Sequence, residues 1–135
     1  MSRSVGRHAV RVMLATATAL LVGVSGCSSV PDARIGAVVD RFYGAVRDGR
    51  GDAACALLAP RTVAELGVGG SDCAMSVLEL RPPGALRTVA AWGSEAQVRL
   101  AADTVFLHRF PEGWRVRAAG CRPRGDEPYL CVVGG

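Results

Sequence analysis

Apolar residues recur at two different periods along this chain, and the change from one to the other falls near Pro83. Downstream of Pro31, Ile35, Val38, Val39, Phe42 and Val46 sit at i, i+3, i+4, i+7 and i+11, the stripe of an amphipathic helix. Asp32 is placed to cap its start, and Gly49 and Gly51 to end it. Three shorter helices are predicted next: GDAACALLAP, opened by Asp52 and stopped by Pro60; RTVAELG, running into the Gly67–Gly70 loop; and CAMSVLEL, opened by Asp72 and closed by Pro82 and Pro83. Beyond Gly84 the period becomes two. ALRTVAAW, EAQVRL, TVFLHRF and WRVRAAG read as four strands, joined by Gly93-Ser94, Ala102-Asp103 and Pro111-Glu112-Gly113, all short enough for hairpins. In the last strand Trp114, Val116 and Ala118 alternate with Arg115 and Arg117, so one face is expected to pack and the other to meet water. Helices first and an antiparallel meander second is an α+β order.

The N-terminal stretch follows neither period. Arg3, Arg7 and Arg11 precede an uncharged apolar run over residues 12–24, VMLATATALLVGV, which ends in Ser25, Gly26 and Cys27. This is the layout of a secretory signal peptide. As a helix the run would span about 20 Å against a hydrocarbon core of about 30 Å, too short for a transmembrane anchor. VSGC, residues 24–27, resembles the lipobox of bacterial lipoproteins. That resemblance implies diacylglycerol on the Cys27 thiol, cleavage before Cys27, and attachment to the outer, extracytoplasmic face of the cell membrane. Two or three acyl chains, at about 0.8 kcal/mol per buried methylene, would hold the protein there stably. The expected organisation is a signal peptide over 1–26, a lipidated tether over 27–30 and a single domain over 31–135.

Lipidation of Cys27 also explains why the chain has five cysteines, an odd number. Export places the remaining four where disulfides persist. Four cysteines allow three connectivities. The favoured one is Cys55–Cys73 with Cys121–Cys131, each closing a local loop. Zinc is not expected, because no Cys-x-x-Cys pair occurs and His108 is the only histidine after Cys27.

Charge changes the picture less than its sum suggests. The net +4 falls to +1 once the three N-terminal arginines are set aside, and no basic cluster with interleaved aromatics remains, so no nucleic-acid partner is expected. All sixteen basic residues are arginine, and Lys and Asn are absent, a bias that fits a GC-rich genome rather than a chemical demand.

Residues 38–60, VVDRFYGAVRDGRGDAACALLAP, followed by a run of strands, resemble the NTF2-like superfamily, the SnoaL and ketosteroid-isomerase type. Residues 113–131, GWRVRAAGCRPRGDEPYLC, are similar to small actinobacterial lipoproteins of that kind. The resemblance implies a long helix and shorter helices packed on a strongly curved, four-stranded antiparallel sheet, forming a cone with a pocket. It speaks for fold more than for activity, since that fold hosts isomerases, dehydratases, transport factors and binding modules. Tyr43, Trp92, His108 and Trp114 are the residues expected to line a pocket. No catalytic residue carries over, although Tyr43, Asp40, Asp103 and His108 are present for general-base chemistry. Gly67–Gly70 lacks the strand, helix and lysine of a phosphate loop, and no cofactor is expected. The expected function is a non-catalytic module binding a small apolar ligand or an envelope protein; the alternative is an isomerase- or dehydratase-type enzyme using Asp or His as base. Arg87, Arg99, Arg115 and Arg117 are expected on the outer sheet face through which such domains dimerise, which points to a monomer or a weak homodimer.

Overall fold

The computed structural model describes residues 29–68 and 72–134. The expected signal peptide and Cys27 lie outside the described residues. Helix α1 spans Val30–Arg47. Its N-cap is Ser29 rather than Asp32: the Ser29 hydroxyl accepts from the Asp32 amide at 3.4 Å, which places the Asp32 carboxylate in the first turn. That position also complements the positive end of the helix. The other end closes as a Schellman motif. Gly49 takes φ 69°, and the amides of Gly49 and Arg50 donate to the carbonyls of Val46 and Ala45 at 3.0 and 2.8 Å.

Helices α2 (Gly51–Cys55), α3 (Pro60–Leu66) and α4 (Cys73–Leu78) are one to two turns long. Asp52, expected as a cap, sits in the first turn of α2 behind Arg50. Pro60, expected to stop a helix, opens α3 instead; at that position its missing N–H costs no helical hydrogen bond. Asp72 caps α4 as expected, accepting from the Ala74 amide at 2.9 Å. Helices this short are marginal alone. Here Cys55–Cys73 bonds the last residue of α2 to the first of α4.

The sheet has five strands where four were expected: β1 (Leu86–Trp92), β2 (Glu95–Leu100), β3 (Thr104–Phe110), β4 (Gly113–Arg124) and β5 (Glu127–Leu130), in the order β1-β2-β3-β4-β5, all antiparallel. The extra strand arises because β4 runs on past Gly120 and turns back at Gly125, where φ is 62°. Cys121–Cys131 then staples that terminal hairpin. β4 is twelve residues long against seven for β3, and the register shows where the excess goes. Leu107 pairs with Val116 and Phe106 with Ala118, so Arg117 is an inserted residue, and a second insertion falls between Ala118 and Cys121. Such bulges twist a strand and re-aim its side chains.

One face of the sheet packs on α1. Ile35, Val39 and Phe42 of α1 are sealed against Val98, Val105, Leu107 and Val116, with Leu58, Val77 and Val133 closing the edges, all at 1% exposure or less. Each such side chain contributes about 1.5–3 kcal/mol by leaving water. The link before α3 also joins the sheet: Val116 donates to the Leu57 carbonyl and accepts from the Ala59 amide, at 2.9 and 2.7 Å. None of the described helices is long and apolar enough to cross a membrane.

Candidate functional site

The face of the sheet turned away from α1 has different chemistry. Strand alternation that sends Ala96, Val98, Val105 and Leu107 into the core sends Glu95 and Gln97 of β2, and Phe106, His108 and Phe110 of β3, the other way. Alternation sends Arg117 of β4 to this side as expected, and the bulge brings Ala118 with it, so Ala118 departs from the expected alternation with Val116. α3 at the β4 edge and the β5 hairpin raise two walls around these residues. The Thr62 hydroxyl donates to the Arg117 carbonyl at 2.9 Å and fixes α3, while Cys121–Cys131 holds Tyr129 in place. The cavity between these walls, open to solvent on one side, is about 660 Å³, within the usual range of small-molecule sites.

Rings form most of its apolar wall. Phe106 meets Tyr129 edge-to-face at 5.1 Å, and His108 meets Phe110 at 4.8 Å. Across the cavity floor runs a hydrogen-bonded chain of polar side chains from three strands. Glu95 and His108 are directly opposed in the β2–β3 ladder, with Glu95 Oε1 2.5 Å from His108 Nδ1. Arg117 Nη1 donates to Glu95 Oε2 at 3.0 Å. Burial works to raise the Glu95 carboxyl, but hydrogen bonds from His108 and Arg117, and then the charges of those two groups, outweigh it and hold Glu95 below its ordinary value. An ionised carboxylate only accepts, so the proton of a neutral His108 ring resides on Nδ1, and Nε2 is left as an acceptor. Among the described residues Nε2 makes no hydrogen bond. At the rim, Arg61 of α3 pairs with Glu65 at 2.7 Å.

Of the four residues expected to line a pocket, His108 alone lines this cavity. Tyr43 is buried on the α1 side. Its hydroxyl donates to Asp103, whose carboxylate also accepts from the amides of Gly120 and Cys121 at 3.1 and 2.7 Å. Burial first, then the hydrogen bond and charge of Asp103, push the Tyr43 hydroxyl far above the ordinary phenol value. This cluster binds α1, the β2–β3 turn and β4 together and leaves no carboxylate oxygen idle. Gly120 is required there: φ is 66°, and a Cβ would fall 2.7 Å from Leu80 Cδ2. Tyr43 and Asp40 line a second cavity of about 560 Å³ between α1 and the Pro82–Pro83 segment. Trp92 stands exposed at the end of β1. Trp114 packs against the core with the Arg109 guanidinium 5.9 Å above its ring.

Glu95, Arg117, Phe106, Phe110 and Tyr129 escaped the sequence reading. The signal for three of them was present in the alternation F-x-H-x-F of β3, opposite Glu95 on β2. Alternation places Arg117 on the outer sheet face but not against Glu95, and Tyr129 depends on a hairpin that no periodicity announces. Among the described residues no group of three His, Cys, Asp or Glu side chains is arranged to hold a metal ion. Compared with protein-family models, with curated proteins and with solved structures, the chain matches none of them.

Proposed function

We propose that this chain is a lipid-anchored, extracytoplasmic binding module of NTF2-like type, holding a small ligand on the open face of its sheet. The observation that carries the binding role is the cavity of about 660 Å³, lined by three of the chain's seven aromatic side chains. The long helix, short helices and antiparallel sheet support the NTF2-like reading, although the middle of the space between α1 and the sheet is filled by side chains such as Phe42, Val98 and Leu107. Two disulfides fit an oxidising compartment. For the anchor, support comes from the residues 24–27 and from the start of α1 at Val30, three positions after Cys27, which would keep the domain close to the membrane surface.

A second reading has its own observation. His108 points into the cavity with Glu95 on Nδ1, the arrangement that orients an imidazole for proton transfer through Nε2. On that reading the module is an enzyme of isomerase or dehydratase type with His108 as base and Glu95 as its positioning residue.

Native mass spectrometry of the full chain, extracted gently from membranes with detergent, tests both anchor and occupant. The expected spectrum carries acyl chains on Cys27 and a small-molecule adduct near one per chain. A Cys27→Ala variant that stays with the membranes would sink the anchor. An envelope protein recovered in place of a small molecule would move the binding role from the cavity to a protein interface. Turnover of the recovered molecule, lost in His108→Gln, would favour the enzyme.

A further inference from the structure

The cavity's charges are the place to ask what it can hold, on the premise that it is a ligand site. With the His108 ring neutral, the charged side chains around the cavity pair off within 3.0 Å: Arg61 with Glu65, and Arg117 with Glu95, whose other oxygen takes the Nδ1 proton of His108. Among the described residues the lining charges therefore sum to zero, so the cavity offers an ionic ligand no net counter-charge. Besides these pairs the cavity offers an aromatic wall, the free N–H groups of Arg61 and Arg117, the Tyr129 hydroxyl and, with the ring neutral, the acceptor Nε2 of His108. This chain is poor in aromatics, with seven in all, yet Phe106, Phe110 and Tyr129 converge here with the His108 ring among them. Edges and faces of rings at 4.8–5.1 Å from one another offer edge-to-face and offset contacts to a further ring, which an aliphatic body uses less well. Nε2 of His108 is an acceptor whose direction is set by the Glu95 hydrogen bond on Nδ1. A partner for it must bring a donor.

We infer that the cavity takes an uncharged, planar aromatic molecule bearing a hydroxyl, a polycyclic phenol in chemical class, with the rings against Phe106, Phe110 and Tyr129 and the O–H donated to Nε2 of His108. Arg117 serves through Glu95 as a positioning residue, holding the carboxylate that holds the imidazole. The volume accommodates a ligand of two or more fused rings.

The experiment is an NMR titration of the full chain in detergent, observing ring protons of Phe106 and Tyr129 and the 15N shift of His108 Nε2. These report occupancy of this cavity and are blind to probe that merely dissolves in micelles. The probes are 2-naphthol, 2-methoxynaphthalene without the donor, decahydro-2-naphthol without the aromatic ring, and 2-naphthoate with a charge. The expected order places 2-naphthol first, with about a fivefold to tenfold weaker dissociation constant for the methoxy compound, the size of one neutral hydrogen bond. A His108→Phe variant, which keeps a ring in place, should bring 2-naphthol down to the methoxy compound and leave the latter unchanged. Decahydro-2-naphthol binding as tightly as 2-naphthol, or 2-naphthoate binding more tightly, would overturn the ligand class while leaving the binding module standing. Equal binding of the methoxy compound would overturn the role of Nε2. If no probe moves any cavity resonance, both this ligand class and the small-ligand reading fall together.

Discussion

Two carboxylates near opposite ends of β2 have opposite fates in this molecule. Asp103, at the turn between β2 and β3, is buried and takes three donors, one from α1 and two from β4. Glu95, at the start of β2, lies in an open cavity and takes two, from His108 and Arg117. The first cluster is closed: nothing in it is left to bind anything, and its work is to hold three elements in one arrangement. The second ends in an imidazole nitrogen, Nε2 of His108, that has no hydrogen-bond partner among the described residues. The same strands thus supply a sealed face for stability and an open face for chemistry, and the acid on each takes the character of its side.

The largest effect should come from the closed cluster. Asp103→Ala strands the Tyr43 hydroxyl, the buried Cys121 amide and the half-buried Gly120 amide, and is expected to cost about 3–5 kcal/mol in chemical denaturation. Glu95→Ala, losing half-exposed pairs, should cost less than about 1 kcal/mol. Equal losses would erase the distinction between the two acids.

The two faces of β3 provide the next contrast. Leu107→Ala, fully buried against α1, should destabilise by about 2–5 kcal/mol, whereas Phe106→Ala next to it should cost less, because it empties an already open cavity wall. A Phe106→Ala loss as large as that of Leu107→Ala would mean that the open face is core after all.

Replacing Cys121 and Cys131 by serine should lower stability by about 3 kcal/mol on the chain-entropy estimate. Because Tyr129 stands two residues from Cys131, the same change should free the β5 wall and raise amide exchange there. Replacing Cys55 and Cys73, across the molecule, should cost a similar amount and leave exchange in β5 unchanged.

The smallest effects are in pH. The Tyr43 hydroxyl titrates higher in the folded chain than in the unfolded one, so above about pH 10 the unfolded state loses that proton first and stability falls. Tyr43→Phe should abolish that alkaline slope. The Glu95 carboxyl titrates lower when folded, so its contribution is present above the unfolded value and is lost as pH falls through the lowered folded value. Being partly exposed, it should give only a shallow acid slope, absent in Glu95→Gln, as followed by thermal unfolding across pH.

Much of this architecture was written locally. The period of 3.6 over residues 35–46, the period of two beyond Gly84 and the turn residues between the strands are properties of neighbouring positions, and they place α1 and the first three strands within a residue or two. The helix boundaries were less legible because Ser29 and Asp32 compete for one cap and because proline ends one helix as readily as it begins another. The α+β class follows from that local order. The fifth strand does not, since residues 121–130 carry no clean alternation and become a hairpin only when Gly125 turns and Cys121 meets Cys131.

The candidate site was decided almost wholly by tertiary structure. Sequence determined that His108 and Glu95 would point away from the apolar residues of their strands, because strand alternation is rigid. Only the paired sheet could set them opposite each other, since ladder register depends on turn length. Alternation with Val116 already sends Arg117 to the face of Glu95, and only the bulge in β4 could bring Ala118 there beside it, because inserting a residue shifts the phase of every side chain that follows. Tyr43, two residues along α1 from Arg41 on its solvated face, was drawn instead to Asp103, sixty positions away, because a buried hydroxyl and a buried carboxylate each need the partner that folding alone supplies.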